Sequence, residues 1–259
     1  VGYYDDGTGT GDRFNAIDPT RVLDSRVGPG FTGKVNAGAA NTRNLKVRGA
    51  GTLLPGTASA VVVNVTATGG SAGSFLTVFP AGSSVPTASN LNFGAGQTIP
   101  NLVVVQIGTG DSISFFNAAG AVDVIADVVG YFDPTGGAYF HAVSPNRILD
   151  SRGPLGGFNG PVSAGSAKEL LVGGANGVPD NATAAVMNTT VTGGTNASFL
   201  KLFPTGGAVP NVSNLNFGPG QTIPNLVTVK LGSFGKVSFA NAIGAVNTIA
   251  DLVGYYGPV

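Results

Sequence analysis

Ser89–Val103 reads SNLNFGAGQTIPNLV, and Ser213–Val227 reads SNLNFGPGQTIPNLV, differing only at Ala95 and Pro219. The two segments stand 124 positions apart. Phe75-Leu76 and Phe199-Leu200, Phe79-Pro80 and Phe203-Pro204, Asn64 and Asn188, and Asn117 and Asn241 keep the same spacing. Arg21-Val22-Leu23-Asp24-Ser25-Arg26 returns as Arg147-Ile148-Leu149-Asp150-Ser151-Arg152, now 126 positions on. Ile125–Phe132 (IADVVGYF) returns as Ile249–Tyr256 (IADLVGYY). A period this long describes a folded domain, not one turn of a solenoid. Pro and Gly breakers in DPTGGA, Asp133–Ala138, mark the junction.

The chain therefore reads as a segment 1–11, a first repeat over 12–133 and a second over 134–259. The opening Val1-Gly2-Tyr3-Tyr4 copies the ending of a repeat. It reads as the last strand of a preceding repeat in a longer tandem array. The alternative is a strand that completes a sheet in a neighbouring molecule.

Within each repeat the apolar pattern has period two. In Ala60–Thr68, Val61, Val63, Val65 and Ala67 share one face, and Val62, Asn64, Thr66 and Thr68 the other. Further strands are predicted near 43–47, 75–79, 102–107, 112–116 and 122–132, then near 185–191, 199–203, 226–231, 236–239 and 246–256. β-Branched residues fill these runs, turn residues separate them, and no amphipathic helix is evident. Seven or eight short strands in about 120 residues predict an all-β chain of two homologous, jelly-roll-like β-sandwich domains, with a small closed barrel as the other candidate. The terminal strand that carries Asp127 is expected to lie centrally in its sheet.

Composition narrows the function. Charged residues are 10% of the chain and the formal net charge is zero, against roughly 25% charged in ordinary soluble domains. Solubility by charge repulsion is weak, which favours self-association or packing into an array. The 13 Lys and Arg are scattered, which argues against nucleic acid as a partner. With no Cys, thiol catalysis and Cys metal sites are excluded. No apolar run is long enough for a membrane-spanning helix.

The polar residues that recur are the candidates for a site. Asp127 and Asp251 stand inside apolar strands, and a carboxylate there has to be paired. Arg21, Asp24, Arg26 and their copies Arg147, Asp150, Arg152 supply the partners. One arginine is expected to fork onto Asp127, and its copy onto Asp251, tying the first strand to the last. As calcium ligands, Asp24 and Asp127 are a thin set beside two arginines, and no metal or cofactor is expected. Asn90, Asn92, Asn101 and Gln97, with Asn214, Asn216, Asn225 and Gln221, lie in the most closely repeated stretch. Two roles suit them: a rigid loop stapled by its own amides, or a glycan-binding shelf on which Phe93 and Phe217 stack against a sugar. His141 has Asn15 as its counterpart, so it does not belong to chemistry common to both repeats. No catalytic residues are expected: no GxSxG, HExxH or P-loop pattern occurs.

The ordered set PxRxLDSR, SNLNFxxGQTxxNLVxV and DVVGYF, present in both repeats, resembles a β-rich repeat of exported proteins of actinobacteria and some other soil bacteria. That family often occurs in several copies, sometimes beside cell-wall or polysaccharide-active enzymes, and no activity is assigned to the repeat itself. The resemblance implies an extracellular or cell-surface location and an accessory or scaffold role. The chain is thus expected to be a non-enzymatic structural or interaction module of a surface array, stalk or filament. Its partners would be other copies of the repeat and extracellular polysaccharide. The alternative is a carbohydrate- or cell-wall-binding module that targets a secreted enzyme.

Overall fold

The computed structural model describes residues 11–258. The segment predicted as a preceding repeat's last strand, 1–11, lies outside them except for its final residue. Two compact units divide after Gly137, with Ala16–Pro19 of the first strand grouped with unit 2.

Unit 1 consists of β1 (Arg13–Asp24), β2 (Val35–Asn36), β3 (Arg43–Lys46), β4 (Ala60–Thr68), β5 (Ser74–Pro80), β6 (Leu91–Phe93), β7 (Ile99–Gln106), β8 (Ser112–Asn117) and β9 (Ala121–Asp133). Unit 2 repeats the series as β10 (Tyr139–Asp150), β11 (Val162–Ser163), β12 (Ala167–Leu171), β13 (Ala184–Thr192), β14 (Ser198–Pro204), β15 (Leu215–Phe217), β16 (Ile223–Lys230), β17 (Lys236–Asn241) and β18 (Ala245–Gly257).

Unit 1 has one sheet in the order β1-β9-β4-β7, with β2 beside β9, and a second in the order β3-β8-β5-β6. Unit 2 has β10-β18-β13-β16, with β11 beside β18, and β12-β17-β14-β15. If the two-residue β2 is set aside and the other strands are counted along the chain, the sheets run 1-8-3-6 and 2-7-4-5. That is the strand order of a jelly roll, and both units have it. The sandwich is the outcome of alternation: each strand buries one face against the other sheet. In unit 2, Leu149, Met187, Leu200, Leu202, Val229, Val237, Phe239 and Leu252 fill the space between sheets.

The last strand of each unit is central. β9 pairs with β4 on one side and lies beside β1 on the other, as β18 does with β13 and β10. A one-residue register shift interrupts β4–β9 between Val62 and Val63 and recurs in β13–β18 between Val186 and Met187. The glycine of the VVGY motif lies at this bulge, facing Val62. A Cβ added to Gly130 would meet the Phe14 ring and, at 2.7 Å, the Asn15 carbonyl oxygen. Gly254 has the same relation to Phe140 and His141. The ring of the first strand sits where a side chain of the last would be, so the motif needs glycine for close approach.

Candidate functional site

The first cluster forms where the LDSR end of β1 runs beside β9. Arg21 lies on β1 and Asp127 on the neighbouring β9, opposite Asn64 of β4. The guanidinium of Arg21 donates from Nε to Asp127 Oδ1 at 2.8 Å and from Nη2 to Oδ2 at 3.1 Å. Arg26 forks in the same way onto Asp24, at 2.8 and 2.7 Å, and Arg21 Nη1 stands 3.7 Å from Asp24 Oδ2. Two acids and two arginines thus alternate along one chain of contacts that is neutral overall. Arg147, Asp251, Arg152 and Asp150 repeat it, with the inter-strand fork at 2.8 and 3.2 Å. Asp127 and Arg21 side chains are 2% and 16% exposed, against 26% and 47% for Asp251 and Arg147.

The arginine hydrogen bonds dominate the acid–base character of this cluster. Arg26 holds the Asp24 carboxyl below the ordinary carboxylate range, against the opposing effect of burial. Arg152 holds Asp150 down at about 2. Both acids are ionised near neutrality and already have cationic partners. They are poorly placed to act as proton carriers.

Amides hold the second cluster. Asn90 Oδ1 accepts the backbone N–H of Val78 at 2.7 Å, and Asn214 that of Leu202 at 2.7 Å. Asn101 Nδ2 donates to the Asn90 carbonyl, and Asn225 Nδ2 to that of Asn214, each at 2.7 Å. Gln97 and Gln221 accept from Gly94 and Gly218 N–H. Asn92 and Asn216 reach Ser89 and Ser213. Asn90 and Asn101, with Asn214 and Asn225, staple the loop before β6 and β15 to neighbouring strands, while Gln97 and Gln221 brace the turn that follows.

The stacking role expected of Phe93 and Phe217 is corrected by their burial. Phe93 and Phe217 are each 6% exposed and close on the backbone of Gly70 and Gly194. On a strand reading Leu91-Asn92-Phe93, the ring points inward with Leu91, leaving no face for a sugar. His141 stacks on Tyr255 at 4.8 Å, and its Nε2 lies 3.0 Å from the Pro258 carbonyl oxygen.

Several structural residues had no functional assignment from sequence. Asn117 is buried; its Nδ2 donates to the carbonyls of Val35, Ala119 and Gly120, and its Oδ1 accepts from Ser74. Asn241 repeats the bonds from Ser198 and to Ile243 and Gly244. Ser25 of the LDSR motif donates to Asp123 and accepts from Val124 N–H. Asp133 takes both Thr135 and Thr57 hydroxyls, which lower its pKa. The signal for Asn117 and Ser25 was their recurrence; their partners, distant in sequence, gave none. Among the described residues, no group of three or more His, Cys, Asp or Glu is arranged to hold a metal ion. No helix among them is long and apolar enough to cross a membrane.

Comparison with family models and with curated proteins finds no match. Solved structures that align with this chain include the N-terminal CBM22-1–CBM22-2 tandem domain of Xyn10C from Paenibacillus barcinonensis. It has 11% identity and a TM-score of 0.25, over 95% of this chain and 93% of that one. The STIV MCP has 8% identity and a TM-score of 0.24, over 95% and 97%. The jelly-roll assignment rests on strand order within each unit.

Proposed function

We propose that the chain is a non-enzymatic structural and interaction module, built from two jelly-roll repeat units of an extracellular bacterial surface array, stalk or filament. One observation carries this reading: the polar residues common to both units are bonded within their own unit, to other strands and to the turns beside them. Arg21 and Arg147 join the first strand to the last. Asn90 and Asn214 fasten a loop to β5 and β14. Asn117 and Asn241 close the turn that leads into β9 and β18. Side chains used in this way build a stiff body whose repetition gives a regular element. A surface with few charges and no net charge offers little repulsion between neighbouring copies.

The test is sedimentation of the full chain over a wide concentration range, with negative-stain microscopy of the same samples. Concentration-dependent growth in mass and ordered particles are the expected result. A strictly monomeric chain at every concentration overturns the assembly role.

A further inference from the structure

The turn between β16 and β17 differs from its copy in unit 1, reading Ser233-Phe234-Gly235 where unit 1 has Thr109-Gly110-Asp111. In unit 1 the turn between β7 and β8 places Gly110 at φ 65° and Asp111 at φ 60°. In unit 2 the left-handed pair is Phe234 at φ 58° and Gly235 at φ 67°. This region suits glycine, and a bulky residue there is strained. Phe234 gains no burial in return, because it is 88% exposed. Nothing in the fold calls for a ring at this strained position.

The ring stands on a fixed base. Gly235 N–H closes the turn on the Gly232 carbonyl. Ser233 N–H donates to Thr205 at 2.8 Å, and the Gly235 carbonyl accepts the N–H groups of Val172 and Gly173 at 3.0 and 2.9 Å. The turn is therefore held from both sides, and its ring needs little ordering on contact. The Ser233 hydroxyl and the Asn176 amide, on the hairpin that follows Gly173, are exposed and carry no side-chain hydrogen bond among the described residues. Lys236, the cation that follows the turn, is paired with Glu169 at 3.1 Å.

We propose that Phe234 is the anchor of a binding site for a neutral polysaccharide, stacking on the C–H face of a sugar while Ser233 and Asn176 meet its hydroxyls. The chemistry separates this ligand from two others. An anionic lipid surface calls for free cations around the ring, and Lys236 is already engaged. A protein pocket calls for an apolar collar that excludes water, and the turn around Phe234 is built of Ser233 and glycine backbone, with only the half-buried Leu231 lying against Gly173. The site goes beyond the structural role, since an array-forming module needs no exposed ring at this turn.

The experiment is a pull-down of the full chain on insoluble cellulose, chitin and β-1,3-glucan, with the variants Phe234→Gly and Phe234→Tyr. Glycine fits the backbone and restores the residue of unit 1, so this variant stays folded, as circular dichroism and thermal melting will show. Expected are binding of the parent chain to at least one polysaccharide, a loss of roughly tenfold in F234G, the order expected for one stacking contact, and retention in F234Y. The proposal is overturned if the parent binds none of them, if F234G binds as well as the parent, or if F234Y loses binding. It is equally overturned if the ring proves to be needed only for binding anionic vesicles or for self-association.

Discussion

Arg21 holds Asp127 in a two-bond fork, at 2.8 and 3.1 Å, and so joins the strand that opens unit 1 to the strand that closes it across 106 positions of sequence. The same pair in unit 2, Arg147 and Asp251, has similar geometry with far more water around it. Identical chemistry at two burials permits a controlled comparison.

Asp127→Ala removes both forked bonds from a largely buried Arg21, leaving it only Asp24 at 3.7 Å among the described residues, and should destabilise unit 1 by about 3–5 kcal/mol. Asp251→Ala should cost unit 2 about 1 kcal/mol or less, as exposed ion pairs do. Denaturant unfolding of each variant in the full chain, followed by hydrogen exchange to locate the loss, checks the contrast. Equal losses in both units would show that burial does not govern the pair.

Gly130→Ala should cost about 1–3 kcal/mol, because the added methyl meets the Phe14 ring and the Asn15 carbonyl together. Phe14→Leu in the same chain should recover part of that loss, since a smaller side chain removes one of the two obstacles. A double-mutant cycle measures the coupling. No coupling would mean that the backbone oxygen, not the ring, sets the requirement for glycine.

Asn117 presents N–H bonds to three carbonyls from one buried position. Asn117→Ala should cost about 1–3 kcal/mol for the groups left without partners. Asn117→Asp should be worse at pH 7, because a carboxylate faces carbonyl oxygens, and should recover as acid protonates it. Thermal melting of N117D at pH 7 and pH 4.5 tests this; a midpoint no higher at the lower pH contradicts it.

Acid should weaken the parent protein late. Asp24, Asp133 and Asp150 are held below the ordinary carboxylate value of 3.8, Asp150 at about 2. Their folded values lie below their unfolded ones, so their contribution is complete above about pH 4 and lost as pH falls toward 2. Melting temperature should be insensitive to these groups from pH 7 to 5 and drop between pH 4 and 2. A steep loss already at pH 5–6 would point to other groups.

β4, β5, β7, β8 and β9 and their copies were legible as short runs rich in β-branched and aromatic residues, set off by turn residues, although β4 and β5 are buried on both faces. β1 and β10 were missed as defined strands. RFNAIDPTRVLD has a proline and two acids and no period of two, and in β10 the pairing itself skips between Ala142 and Asn146. The Arg–Asp fork was legible for an electrostatic reason: an acid within an apolar run has few stable fates. The amide staples were legible in kind but not in partner, since Asn90 bonds to a backbone group twelve residues earlier. Phe93 was misplaced because its neighbours are Asn and Gln; the alternation of Leu91, Asn92 and Phe93 points it inward. Phe234 was overlooked because comparing repeats for likeness hides a position where they differ.

The central place of β9 sets the order in which a unit can be finished. Its slot between β1 and β4 stays vacant until residues 121–133 have left the ribosome. A growing chain thus carries two open strand edges for most of its synthesis. The next repeat brings a strand of nearly the same sequence, ending in the same VGY. Prompt closure by the rightful strand, ahead of its near-copy, is therefore a condition on how such tandem chains are made.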